Sequence, residues 1–314
     1  LPSPWVHGIN FTPTGSSFST AAVLALLIPV AAANLISASN PLLLAANSLL
    51  LTIFAVTIAL TGGFATWTAG LAGLALTAWA NNLSNLNYLR NLKPLKLISL
   101  ISPVCLIGLI IFLSLVPPVG GAKNLLHSQY KSFPKEVSLG LVNSWKIAIS
   151  AFRDSPFWGS GPGTFLFDFT TYKPIEFNSS KNWNLRFDSA FNEYLQVLAT
   201  LGGVGLVALL SLTALFISSA YKSYTSNRSY TSHTPLAISG LVFFILLFLH
   251  PSSLVLWVLG ILILACFFKL NLSDKTSSWN SLTNITRSLV NSSEETLRIE
   301  ALPSVILTVV VGLI

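Results

Sequence analysis

Arg186, Asp188, Asn192 and Glu193 stand in one short stretch, and guanidinium, carboxylate and amide groups are the side chains that hold anions and move protons. They close a segment, Lys123 to Glu193, that carries 14 of the 27 Asp, Glu, Lys and Arg residues of the chain, while Leu1 to Leu89 carries none. Chemistry has to be sought in this segment. Taken alone, Arg186 and Glu193 read as a solvated ion pair. Asp188 reads as the N-cap of a helix that continues into the next apolar run, with Asn192 and Gln196 one turn apart on a single face.

Upstream, Trp145, Ala148, Ile149 and Phe152 recur at helical spacing, with Lys146, Ser150, Arg153 and Asp154 on the other side. This predicts an amphipathic helix lying on the membrane or on a helix bundle, and it stops at Ser155-Pro156 because proline disfavours a helical residue before it. Phe157-Trp158-Gly159-Ser160-Gly161-Pro162-Gly163 follows, which suits a tight turn anchored at headgroup depth. A lone glycine-rich turn is weak evidence for phosphate binding, and a plain turn is the favoured reading.

The elements that position these residues are membrane helices. A chain that is 53% hydrophobic and 9% charged, with mean hydropathy +0.71, holds more apolar side chains than one soluble core can bury. A helix rising about 1.5 Å per residue needs roughly 20 apolar residues to cross a bilayer. That ruler marks Phe18–Ile36, Pro41–Leu60, Gly63–Ala80, Leu97–Val116, Leu198–Ala220, Pro235–Leu249 and Ser253–Phe268, with an eighth run starting at Pro303. The expected fold class is all-α: a polytopic membrane protein with seven complete spans, a truncated eighth and one large loop. The chain is read as a piece of a longer protein.

Arg90, Lys93 and Lys96, and then Lys222 and Arg228, mark two short loops as cytoplasmic, which puts the Lys123–Glu193 loop and the His250 turn outside. Residues 1–122 then form an N-terminal membrane part, 123–197 an extracytoplasmic loop and 198–314 a C-terminal membrane part. A net charge of +7 sits largely in short loops, so no nucleic acid partner is expected. Cys105 and Cys266 fall in apolar runs and make no disulfide framework.

Trp145-Lys146-Ile147-Ala148 through Pro156, Gly159-Ser160-Gly161-Pro162-Gly163-Thr164-Phe165, Arg186-Phe187-Asp188, Asn192-Glu193-Tyr194-Leu195-Gln196 and Gly202 to Gly205 together resemble the conserved loop of the O-antigen ligase and O-antigen polymerase superfamily. Phe11-Thr12-Pro13-Thr14-Gly15-Ser16 is a fainter match. The resemblance implies an inverting, metal-independent glycosyltransferase of the bacterial inner membrane that needs no cofactor. Its partners would be membrane lipids, an undecaprenyl diphosphate-linked glycan donor, and a lipid A core, glycan or protein acceptor. Arg186 matches the family's loop arginine and would clamp the diphosphate.

Two positions depart from the family pattern. Phe191 stands where many members have a histidine, and no arginine opens the helix that begins Thr61-Gly62-Gly63. The substitute bases are then Glu193, Asp188, His7, His127 and His250, with Glu193 first. Asn192, Asp188 and His250 would contact substrate, and Arg153 a lipid headgroup. The rival readings are a transporter or flippase of lipid-linked glycans, and a relative that binds carrier lipid without transfer. Internal repeats or intramembrane charges would favour a transporter; none of the marked spans carries Asp, Glu, Lys or Arg.

Overall fold

The computed structural model describes residues 16–38, 40–61, 63–80, 105, 108, 137–226 and 233–283. The expected spans Leu97–Val116 and from Pro303, together with His7 and His127, lie outside the described residues, apart from the isolated helical positions Cys105 and Gly108. Among the described residues there is no strand. The helices are α1 (Ser17–Ser37), α2 (Pro41–Thr61), α3 (Phe64–Ala80), α4 (Leu141–Asp154), α5 (Phe165–Tyr172), α6 (Glu193–Ser226), α7 (Thr234–Leu249) and α8 (Leu254–Thr283), with a 3-10 turn at Ile175–Ser179 between α5 and α6.

The helix α1 begins where Ser16 Oγ accepts the Ser19 amide at 3.0 Å, and its alanine-rich sequence lets neighbours approach on all sides. It is therefore the central helix, buried almost along its whole length and packed against α2, α3, α7 and α8. Gly73 of α3 leaves room at the junction with Pro29 and Val242, which approach its absent side chain. The outward faces stay apolar: Leu42, Leu49, Val258 and Ile261 are all exposed. Such faces suit hydrocarbon, not water. Among the described residues four helices, α1, α2, α6 and α8, are long and apolar enough to cross a membrane.

The helix α6 breaks within its glycine-rich stretch Gly202–Gly205, where a bend is expected from the sequence. Gly202 has φ 65° and ψ −159°, which breaks the helix into limbs 193–201 and 203–226. Tyr194 Oη lies 3.4 Å from Thr213 Oγ1, although a straight helix would hold those residues about 28 Å apart. The limbs therefore fold back on each other. The second limb alone, roughly 36 Å long, suffices for a crossing.

The segment between α3 and α6 has its own core. Phe169, Phe177 and Phe187 pack edge to face around one point, with ring centroids 5.5–6.1 Å apart. Leu139, Ile147, Ala148, Ala151 and Phe165 surround them, and Leu195 and Ala199 of the first α6 limb close the cluster. The helix α4 runs parallel to that limb: Ser144 Oγ accepts the Phe191 amide at 2.8 Å near the start of both, while Phe152 approaches Gly203 near the end of both. Its buried face is Ser144, Ile147, Ala148 and Ala151. This corrects the expected face by one residue, about 100° of rotation. Trp145 is exposed, because the partner of α4 is a helix that accepts small side chains, whereas the sequence pattern points at the larger ones.

Candidate functional site

The site is built where the first limb of α6 begins. The helix does not start at Asp188, which is exposed; it starts at Glu193 with Asn192 as its cap, because Asn192 Oδ1 accepts the Leu195 amide at 2.9 Å. The buried Asn192 side chain also donates from Nδ2 to the Phe248 carbonyl at 3.0 Å, so one amide both caps α6 and holds the last turn of α7. One residue on, Glu193 Oε2 accepts two hydrogen bonds from Ser252, the amide at 3.0 Å and the hydroxyl at 2.7 Å. A polar junction is thereby fixed between the loop and the α7–α8 turn.

His250 sits between those two anchors. It caps α7, its amide donates to the Leu246 carbonyl at 2.9 Å, and its ring stacks on Phe18 at the start of α1. Nδ1 lies 2.9 Å from the Pro251 carbonyl, which can only accept, so Nδ1 carries a proton and the neutral ring has its lone pair on Nε2. The structure thus brings Asn192, Glu193 and His250 together at one end of the bundle.

Arg186 is exposed in the irregular stretch leading into Asn192, and it makes no hydrogen bond or ion pair among the described residues. The pairing expected with Glu193 is absent because Ser252 takes that carboxylate instead. Arg153, in the last turn of α4, is likewise exposed. Among the described residues no three His, Cys, Asp or Glu side chains gather at a metal-sized centre.

The glycine-rich turn has a structural task. Ser160 and Gly161 amides donate to the Ala199 and Thr200 carbonyls at 3.1 and 2.8 Å, and the Gly203 and Val204 amides donate to the Pro156 and Phe157 carbonyls at 2.8 and 3.3 Å. These four bonds satisfy backbone groups that the break at Gly202 orphans. The amides of Ser160 and Gly161 are occupied, so this turn offers them to no phosphate.

Sequence reasoning missed three residues. Ser252 carried no signal, since it lies outside the charged segment. Ser144 belongs to neither the apolar nor the polar side read for the amphipathic helix, yet it is buried. Asp168 was hidden in an aromatic run: it is buried, and Ser160 Oγ donates to it at 2.6 Å with Thr164 Oγ1 also 2.6 Å from Ser160. Burial raises the Asp168 carboxyl above its ordinary value, and the Ser160 bond opposes that shift in part. On the same surface the Tyr172 phenol is raised, chiefly by its hydrogen bond to Asp154.

No curated protein matches this chain. A family model described as O-antigen ligase matches residues 14–210, a span that holds α1 to α5, the whole polar loop and the first α6 limb, but not His250 or Ser252. That match covers more than half of the 314 residues, and with the apolar helices it makes this chain a membrane protein that belongs to the O-antigen ligase family.

Proposed function

We propose that this chain is a glycosyltransferase of the bacterial inner membrane that takes a glycan from an undecaprenyl diphosphate-linked donor and joins it to a lipid A core, glycan or protein acceptor. Family membership supports the reaction class. The observation that carries the reading is the junction itself: Asn192 and Glu193 are pinned to the α7–α8 turn while Arg186, beside them in sequence, has no protein partner among the described residues. A rigid acid next to an uncommitted guanidinium fits a reaction that forms one anion and releases one proton.

In this reading the acceptor hydroxyl attacks the anomeric carbon, and the bond from that carbon to the diphosphate breaks. The electron pair leaves with undecaprenyl diphosphate, whose charge Arg186 holds. The hydroxyl proton passes to Glu193, where Ser252 occupies Oε2 and no described residue bonds Oε1. Asn192, Asp188 and His250 line the approach for sugar and acceptor, and Arg153 meets lipid phosphate. The loop faces away from the cytosol, residues 123–197 form the catalytic part, and the membrane parts 1–122 and 198–314 supply seven spans and the start of an eighth.

The test is glycan attachment in cells lacking and then regaining the full-length gene. Transfer should disappear and return, and Arg186→Ala in the returned gene should abolish it at unchanged membrane abundance. Normal transfer in the deleted strain, or in the Arg186→Ala strain, overturns the reading.

A further inference from the structure

We propose that the Pro156–Ser160 turn is a membrane anchor, with Phe157 and Trp158 set into the headgroup–acyl boundary of the leaflet that the second limb of α6 enters. Both side chains are among the most exposed aromatics of the described protein, at 70% and 77%, and neither packs on the loop core. Their backbone is not free to point elsewhere. The Pro156 and Phe157 carbonyls are bonded to the Gly203 and Val204 amides, and Gly159 lies against Gly202, so the turn is held at the first residues of the crossing limb.

That limb identifies the occupant. Val204, Val207 and Leu210 are exposed at 49%, 66% and 48%, and they start a stripe that continues through Leu215 and Ile217 along a helix apolar enough to span. The stripe has to face hydrocarbon, and the aromatic pair is its direct continuation at the upper edge. Arg153, exposed one turn before Phe157 and without an ion pair among the described residues, adds a cation suited to lipid phosphate. An amphipathic aromatic pair beside an arginine is what a bilayer surface accepts, and a soluble partner would leave the stripe below it unexplained.

A depth relation follows. The first limb of α6 returns from Gly202 toward the bundle for about 12 Å, so Glu193 and Ser252 lie farther along the bundle than the anchor does. The polar junction then lies on the acyl side of the anchor and is approached from within the leaflet. The anchor itself rests only on geometry and exposure, and it stands whether or not the proposed transfer is correct.

The full chain, reconstituted in phosphatidylglycerol and phosphatidylcholine nanodiscs with Cys105→Ser and Cys266→Ser, is labelled with one environment-sensitive fluorophore at Trp158→Cys, Phe157→Cys, Val204→Cys or Leu254→Cys. Spin-labelled lipids with the nitroxide at the headgroup or at mid-chain serve as quenchers, and iodide as the aqueous one. Labels at 157 and 158 should be quenched by the headgroup nitroxide as strongly as the label at 204, and protected from iodide. The label at 254 should respond more to the mid-chain nitroxide. Iodide access at both 157 and 158 with no lipid quenching overturns the anchor, and a label at 254 shallower than 158 overturns the depth relation. The Phe157→Cys position guards against local misfolding caused by losing the indole.

Discussion

Gly159 and Gly202 meet backbone to backbone, and each occupies the space that a side chain on the other would need. A Cβ on Gly159 would lie 2.6 Å from the Gly202 nitrogen, and a Cβ on Gly202 would lie 2.6 Å from the Gly159 nitrogen. Both residues also hold positive φ, at 66° and 65°. Four hydrogen bonds between residues 156–161 and 199–204 then fasten a loop to the point where a membrane helix reverses.

Alanine at either position should therefore unclip the loop. The conformation at Gly202 costs a non-glycine residue about 1–3 kcal/mol, and the clash is with backbone that cannot step aside. Gly159→Ala and Gly202→Ala should each lower stability by roughly 3 kcal/mol or more, whereas Gly163→Ala, which meets nothing within 4 Å, should lose only the positive-φ cost, about 1 kcal/mol. Limited proteolysis of the loop in detergent checks this. Equal resistance of all three variants would remove the clip from the fold.

Much of the bundle was legible because apolar runs of membrane length leave little choice: α1, α2 and α7 begin and end within a residue or two of the apolar runs. The end of α4 at Asp154 follows from Pro156 in the same local way. What could not be read is set by contacts distant in sequence. Asn192 outcompetes Asp188 as a cap because Phe248 waits for its amide, 56 residues away. The reversal of α6 depends on a turn 43 positions upstream supplying its missing hydrogen bonds, and Ser252 gains its place only from Glu193. Each of these partners is visible only after the chain has folded back.

Ser252 should set how well Glu193 works. Ser252→Ala removes the 2.7 Å hydroxyl bond and leaves the amide bond, so the carboxylate loses one charge-assisted hydrogen bond worth about 1.5–3 kcal/mol. Glycan transfer should fall by about tenfold or more if that energy fixes the reactive geometry, and Ser252→Thr should restore most of it. Glu193→Gln should be slower still, since an amide accepts no proton. The rate of glycan attachment at equal membrane abundance reads all three, and full activity in Glu193→Gln would end its assignment as the base.

Asn192 separates capping from clamping. Asn192→Asp keeps an acceptor for the Leu195 amide but loses the donor to the Phe248 carbonyl and sets a carboxylate against it. The junction should weaken by about 1–3 kcal/mol. Asn192→Ala should lose the cap as well, about 1 kcal/mol more. Hydrogen exchange at the Leu195 and Ser252 amides distinguishes them: Asp should preserve protection at Leu195 and lose it at Ser252, and Ala should lose both.

The buried Asp168 gives the loop a pH dependence of definite sign. Its carboxyl titrates above the ordinary value of 3.8 because burial disfavours the charge. The folded loop thus binds a proton more tightly than the unfolded chain does, so this group's contribution is present below about pH 4 and is lost as pH rises through the folded value. Asp168→Asn keeps a neutral side chain beside Ser160 at every pH. Relative to the parent, the variant should gain stability as pH increases from 4 to 7, with the gap closing again at pH 4. Thermal melting of the loop followed by near-ultraviolet circular dichroism, where Phe169, Phe177 and Tyr172 report, measures that gap. A gap that shrinks with rising pH would mean that Ser160 and its neighbours stabilise the carboxylate more than burial penalises it.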